Sequence, residues 1–349
     1  MNNTRTLPLG LEDLARRPSL APRGLVAVGR ALGIAAATTA AAGAATLAWG
    51  SIERRFPTIR RLTVPVRPEA LSSPIRILHL SDLHMYPGQD FIVSFLERVA
   101  RDEIFDFVVS TGDNFGSVDG LDLVLDAHRP FLEYPGAFVL GSNDYYSPEH
   151  KGWAEYLKPR EVRRHRDRLN PDLPWTEVAR TLRDSGWADL SNRADSVSLT
   201  PRRAQRGFGA RSHEVTLSLI GTDDAHIQRE RIVTADTSWD DPHSVRLGIT
   251  HSPYLRVIDP FTRMGSDLIL AGHTHGGQIG IPWFGALVTN CDLPRTHAKG
   301  LTRWDSGGRS SWLHVSAGLG TSPFAPIRVA TQPEVSLLTL IPRRQGMSV

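Results

Sequence analysis

The sequence predicts a layered α/β domain, with sheets covered by helices, set behind an apolar N-terminal segment. Two observations predict it. From about Pro65 onward, short apolar runs alternate with stretches of helical periodicity, the pattern that packs helices onto the faces of sheets. Several of those runs stop at Asp, His or Asn, and in α/β sheets ligands gather at the carboxyl ends of strands.

The first fifty or so residues stand apart. Arg16, Arg17, Arg23 and Arg30 precede an uncharged Ala- and Gly-rich run from Ala31 to Trp49, and Arg54 and Arg55 follow it. The run has about the length that crosses a hydrocarbon core as a helix. Three readings stand: a single-pass membrane anchor within an N-terminal segment 1–60, an export signal cleaved after a small residue such as Ala44 or Ala48, and an exposed Ala-rich helix. Arginines flank both ends in similar number, so charge does not set an orientation.

Beyond it, Ile75–Leu80, Phe105–Ser110, Ala137–Leu140, Val215–Ile220, Val245–Ile249 and Leu268–Leu270 read as buried strands, being short, apolar and bounded by Gly, Asp, Ser or Pro. Phe91–Arg101 and Trp175–Ser185 read as helices, the second stopped by Gly186. The stretch 147–173 breaks the rhythm: it is polar and carries Arg160, Arg163, Arg164, Arg166 and Arg168. It reads as a solvated segment, or as a lid that attracts anionic substrate or lipid headgroups.

Composition sets outer bounds. Hydrophobic residues at 40% and charged residues at 22% of 349 allow a well-cored globule. The 40 basic and 37 acidic side chains nearly cancel, for a formal charge of +3. That balance argues against nucleic acid, whose binders concentrate Lys and Arg on one face. Cys291 is the single cysteine, which excludes an intramolecular disulfide and a thiolate zinc cluster.

The chemistry sits where the strands stop. The runs lead into Ser81-Asp82-Leu83-His84, Thr111-Gly112-Asp113-Asn114, Gly141-Ser142-Asn143-Asp144, Thr250-His251 and Gly272-His273-Thr274-His275. An Asp-x-His or His-x-His after a strand puts both side chains on one side of the pleat. Imidazoles and carboxylates without thiolates suit Mn²⁺, Fe or Zn²⁺. Six or seven such ligands exceed the need of one ion and fit two divalent cations bridged by a carboxylate. His128, His150, His165, His213, His226, His243 and His297, each lying outside these motifs, read as hydrogen-bonded structural residues.

This ordered set resembles the calcineurin-like metallophosphoesterase family. The ending Ser316-Ala317-Gly318-Leu319-Gly320-Thr321-Ser322, with Pro326-Ile327-Arg328 and Pro333-Glu334, resembles a branch of membrane-associated or exported bacterial phosphoesterases, some related to hydrolases of UDP-diacylglucosamine. The resemblance covers residues 73–342. It implies a four-layer α/β/β/α sandwich with a dinuclear metal site at the carboxyl edge of the strands. It implies Asp82, His84, Asp113 and His275 on one ion, and Asp113, Asn143, His251 and His273 on the other, with in-line attack on phosphorus by a bridging hydroxide. Arg328 is a candidate for holding phosphate with a two-pronged contact, or else forms a surface ion pair.

One motif departs from the family. Its usual third motif is Gly-Asn-His-Asp or Gly-Asn-His-Glu; aligned without a gap, Ser142 takes the place of Asn and Asn143 that of His. A shift by one makes Asn143 the ligand and puts Asp144 in the histidine's place, and is preferred because an amide oxygen is the better ligand. Either way the histidine that assists the leaving group is missing. The favoured function is a metal-dependent hydrolase of a phosphoester or diphosphate bond, acting on a phosphorylated small molecule or a lipid- or nucleotide-linked substrate at a membrane. A catalytically decayed metal-binding membrane module and a nuclease are the alternatives.

Overall fold

The computed structural model describes residues 23–148, 170–202, 214–281, 285–286 and 289–343. The arginines 160–168 of the basic stretch, Arg16, Arg17, His150, His165 and His213 lie outside the described residues. The chain divides into two units, Met1–Ala48 and Trp49–Val349.

In the first unit, helix α1 (Arg23–Glu53) runs on past Trp49 to end within the second unit. Nothing in Ser51-Ile52-Glu53 interrupts it, and Pro57 lies just beyond its end, where the residue before a proline leaves the helical region. The segment Arg30–Glu53 is long and apolar enough to cross a membrane, and its 24 residues rise about 36 Å.

The second unit holds two six-stranded sheets. The first comprises β1 (Thr58–Val66), β2 (Ile75–Leu80), β3 (Phe107–Ser110), β4 (Gly136–Phe138), β5 (Ala188–Asp189) and β14 (Glu334–Pro342), in the order β1-β14-β2-β3-β4-β5. The second comprises β6 (Ala194–Leu199), β7 (Val215–Gly221), β8 (Ser244–Ile249), β9 (Leu268–Ala271), β12 (Gly300–Ser306) and β13 (Arg309–Val315), in the order β12-β13-β9-β8-β7-β6. A short ribbon pairs β10 (Gly280–Ile281) with β11 (Gly285–Ala286). Strands β2, β3, β4 and β5 run parallel, as do β7, β8, β9 and β13, so their carboxyl ends share an edge within each sheet.

The apolar runs are continuous because both faces of each central strand are covered. Ile75, Ile77, Phe107 and Val109 of the first sheet meet Val245, Leu247, Leu268 and Leu270 of the second in one buried cluster. Leu78, Leu80, Val108 and Phe138 point the other way, against helices α2 (Asp90–Asp102), α3 (Leu121–His128) and α5 (Trp175–Asp184). A short helix, α4 (Ser142–Tyr145), lies between α3 and α5 in the chain. On the far side α6 (Leu255–Met264) sets Val257, Ile258 and Phe261 against Ile220, Ile269 and Leu313. The result is the four-layer α/β/β/α sandwich that the resemblance implied.

A polar contact crosses the apolar layer between the sheets. His79 of β2 and His314 of β13 are fully buried, with their Nδ1 atoms 3.0 Å apart, so one must donate and the other accept. His79 Nε2 continues to Thr111 Oγ1 at 2.9 Å. Burial lowers the pKa of His314 to about 3, with Arg60 adding to it, and burial holds His79 well below the usual range. Unfolded, each histidine takes up a proton near pH 6.5 that the native state refuses. Stability therefore falls as pH drops from 6.5 toward the folded values, by about 1.4 kcal/mol per unit for each histidine. His314→Asn is expected to remove about one proton from the uptake on unfolding between pH 6 and 4, measured from the pH dependence of denaturant unfolding. An unaltered slope would sink this assignment.

Candidate metal centre

The loops that leave β2, β3, β4, β8 and β9 converge on one rim, knitted by backbone hydrogen bonds. Asp82 N donates to Gly112 O at 2.9 Å, His84 N to Asp113 O at 3.0 Å, and Gly272 N to His251 O at 2.9 Å. Two overlapping groups of ligand atoms result, each within 4.8 Å: Asp82, His84 and His275, and Asp82, Asp113 and His251. Asp113 Oδ2 lies 3.6 Å from His84 Nε2 and 3.4 Å from His251 Nε2, between the two groups. Asn143 reaches the same carboxylate, with its backbone N 2.7 Å from Oδ1 and its amide Nδ2 2.8 Å from Oδ2. His273 stands at the edge of this assembly, its ring 5.3 Å from that of His251.

The backbone is bent to make this possible. Asp82, His84, Asp113, His273 and His275 all have φ between 43° and 71°, a left-handed region that side chains other than Gly and Asn enter at a cost of about 1–3 kcal/mol each. Two glycines keep the loops close. A Cβ on Gly272 would sit 2.0 Å from Ser81 Oγ and 2.4 Å from Asp82 Oδ2, and one on Gly141 would sit 2.3 Å from Asp113 Oδ1.

Hydrogen bonding fixes which ring nitrogens are bare. His251 Nδ1 donates to Thr111 O at 2.7 Å, so in the neutral ring Nε2 carries the lone pair, buried and 3.4 Å from Asp113 Oδ2. His273 Nε2 lies 3.3 Å from Asn290 O, which leaves Nδ1 bare. His84 Nε2 and His275 Nε2 face each other at 3.1 Å. Asp82 accepts from Ser81 Oγ and from His273 N, and Thr111 Oγ1 donates to Ser81 Oγ at 2.6 Å, extending the chain from His79 to Asp82.

The electrostatics pull against one another. Burial pushes the Asp82 carboxyl up, and neighbouring Asp113 adds to this against His251 and His84. Burial also opposes ionisation of Asp113, yet His251, His84 and the Asn143 amide hold it well below the usual carboxylate range. Burial opposes a proton on His251, but Asp113, Asp224 and Asp82 hold its pKa well above 6.5. Burial, His84 and Arg328 together keep His275 well below it. Buried imidazole nitrogens and two carboxylates gathered without thiolates are donors that divalent cations take, so this set fits them.

Two predicted side chains are placed differently from expectation. Asp144 is fully buried beneath the rim, where its oxygens accept from Gly141 N at 2.8 Å, Asp113 N at 2.9 Å, and Asn114 N and Nδ2 at 3.0 and 2.9 Å. Burial, with Asp113 adding, lifts its pKa to about 6. Asp144 braces the loops rather than facing a substrate. Arg328 is likewise fully buried, so it is neither a surface ion pair nor an open clamp for phosphate. Its Nη2 donates to Gly320 O at 2.6 Å and lies 3.3 Å from His275 Nδ1, behind the ligand.

Sequence reasoning passed over a further set. Asp223 and Asp224 follow β7 at the same carboxyl edge that supplied the other motifs. Asp224 is fully buried, accepts from Ser252 Oγ at 2.5 Å, and has one oxygen unpartnered among the described residues. His226, read as merely structural, lies 4.6 Å ring to ring from His273, with Nδ1 2.9 Å from Tyr254 Oη. Applying the strand-end rule to Val215–Ile220 would have found all three.

Comparison with known proteins agrees with this geometry. The sequence profile of the calcineurin-like phosphoesterase family matches residues 75–277. An uncharacterised metallophosphoesterase of Bacillus subtilis, YkoQ, is 28% identical over 75% of this chain and 82% of its own length. The UDP-2,3-diacylglucosamine pyrophosphatase LpxG of Chlamydia trachomatis is 24% identical over 88% of this chain and 97% of its own. Among solved structures, the phosphopantetheinyl hydrolase PptH of Mycobacterium tuberculosis superposes with a TM-score of 0.37 at 9% identity, over 80% of this chain and 100% of its own. With its strand-end motifs gathered at one buried rim, the chain belongs to the calcineurin-like phosphoesterase family and is a metal-dependent phosphoester hydrolase.

Proposed function

We propose that this chain hydrolyses a diphosphate bond in a lipid- or nucleotide-linked substrate, at a centre of two divalent cations, while anchored to a membrane by α1. The observation that carries the reading is the third motif, Gly141-Ser142-Asn143-Asp144: it holds no imidazole, and the side chain it presents to the Asp113 carboxylate is the Asn143 amide. An amide donates no proton at neutral pH. A diphosphate leaves as a phosphate that needs little protonation, whereas an alkoxide depends on a general acid.

Asp82, His84, Asp113 and His275 would hold one cation, and Asp113, Asn143, His251 and His273 the other. Bound cations would supply Lewis acidity toward phosphoryl oxygens and lower the pKa of water. The Asn143 amide now presents Nδ2 to Asp113; a half-turn brings its oxygen to the same place, the orientation that a cation there would select. Arg328 keeps the imidazole of His275 neutral, and Ser81 with Thr111 orients Asp82. Mn²⁺, Fe or Zn²⁺ suits this thiolate-free set of imidazoles and carboxylates.

The membrane part rests on two features. The apolar helix is long enough to span, and its last turn, which belongs to the catalytic unit, is tied to the loop of Arg328. Arg328 N donates to Gly50 O at 3.0 Å, and Glu53 accepts from Ala330 N and Thr331 N at 3.0 and 2.9 Å. The chain thus enters the catalytic unit beside the loop that backs His275. A chlamydial relative named for a diphosphate bond on a diacylated sugar nucleotide supports the same substrate class.

The full chain in neutral detergent with Mn²⁺ is expected to cleave a nucleotide-linked diphosphate about 100-fold faster than a simple alkyl phosphate monoester, given the 10²–10⁴ that general acids contribute. Faster cleavage of the alkyl ester would refute the proposal. Asp113→Asn should abolish activity and metal retention together; an active variant would count against this ligand set. Ser81→Ala should weaken Mn²⁺ affinity about 10–100-fold, read by competition with a chelating dye. An unchanged affinity would remove Ser81 from the positioning chain.

A further inference from the structure

At the pole of the sandwich opposite the metal rim, five arginines line a cleft of about 230 Å³: Arg67, Arg246, Arg303, Arg309 and Arg343. It lies at the amino ends of β8 and β9 and the carboxyl ends of β1 and β14. His251 and His273 follow the other ends of β8 and β9, about 15–20 Å away along the strands. Nothing in the metal chemistry uses this cleft.

Its charge is not balanced from within. Asp267 is the carboxylate in the lining, and its oxygens are already engaged. Arg67 Nε and Nη2 donate to it at 2.9 and 3.1 Å, and Arg246 N donates at 2.9 Å. Arg67 also donates through Nη2 to Ser244 O at 2.8 Å and through Nη1 to Pro242 O at 3.2 Å, and so is committed at every nitrogen. Arg303 lies over the Trp312 ring at 4.8 Å and donates to Ser310 Oγ at 2.6 Å. The side chains of Arg246, Arg309 and Arg343, in contrast, form no hydrogen bond or salt bridge among the described residues, and Arg246 Nε is buried without a partner.

Two of these guanidinium groups converge. A Cβ on Gly265 would stand 2.6 Å from Arg309 Nη1 and 3.5 Å from Arg246 Nη1, so the missing side chain leaves both donors the space. Burial and the like charges of Arg67 and Arg309 lower the pKa of Arg246, while burial and then Arg343 lower that of Arg303. Asp267 and then Asp240 offset this for Arg246, and Asp305 for Arg303, only in part. Gathering uncommitted guanidinium groups costs repulsion that a multiply charged oxyanion would relieve, and their planar forks match phosphate oxygens two at a time.

We propose that this cleft is a second anion site, which binds a phosphate-bearing group through Arg246, Arg309 and Arg343. A diphosphate or a phosphorylated headgroup has suitable charge, and either presents the same oxygens. Binding weakens as ionic strength rises, because the outer arginines are exposed to solvent.

The test is calorimetric titration of the full chain, in neutral detergent and stripped of metal by chelator, with inorganic diphosphate. One diphosphate per chain is expected. Arg309→Gln with Arg343→Gln should weaken it about 10-fold or more, whereas Asp113→Asn should leave it unchanged. Both arginines are exposed, so their replacement does not threaten the core; Arg246→Gln is the second variant, with the melting temperature as a folding control. Equal affinity in wild type and the double variant, loss in Asp113→Asn, or no binding by wild type at millimolar diphosphate would each overturn the proposal. Dihexanoyl phosphatidic acid, below its micellar concentration, separates the sources. Tighter binding than diphosphate assigns the site to a headgroup, and weaker binding to a soluble anion. Because the readout needs no turnover, failure here is distinct from failure of the diphosphatase reading.

Discussion

Two carboxylates, Asp82 and Asp113, are held almost out of water within one group of ligand atoms, and the rest of the site exists to make that tolerable. Like charges sharing a dry site cannot both ionise without compensation, and stripping each of water costs several kcal/mol even after relaxation. The fold answers in layers. Imidazoles from three loops surround the pair, an amide caps one carboxylate, and Ser81 caps the other. Divalent cations complete the compensation, and this explains why ligand nitrogens are left bare. The left-handed backbone at five candidate ligands and the tight glycine at 272 are the conformational cost of bringing so much charge to one point.

Behind the ligands, the polar network is directional. His314, His79, Thr111, Ser81 and Asp82 form an unbroken run of hydrogen bonds from the second sheet through the apolar layer to the rim. Thr111 serves twice, since its carbonyl also receives the proton of His251 Nδ1. One residue thereby orients ligands from both sheets, and motion of one sheet against the other would be felt at both.

Most of the central architecture was legible because burial on both faces makes a strand a plain apolar run. Ile75–Leu80 matches β2 residue for residue, and Val245–Ile249 differs from β8 by one. Phe105–Ser110 was read too long: Asp106 leaves the strand to accept from Arg76 N and Arg202 N, so β3 starts at Phe107. The strands that escaped notice are mostly at sheet edges. β1 carries Arg60, Arg61 and Pro65, and β12 with β13 mixes polar and aromatic residues, so neither shows a simple period. At the site, the strand ends pointed to residues that the fold gathers at one rim. The duties of Asp144 and Arg328 were not legible there, because side-chain direction depends on how distant loops stack, and no local pattern encodes that.

The position of β14 has a consequence for how the molecule comes into being. The last strand lies between β1 and β2, parallel to one and antiparallel to the other. Until residues 334–342 emerge from the ribosome, β1 lacks the strand it pairs with and β2 has a naked edge. Such long-range closure slows folding, and the exposed edge invites pairing with other chains. If α1 anchors the chain as proposed, a nascent chain held at a bilayer would be kept apart from its siblings during that wait.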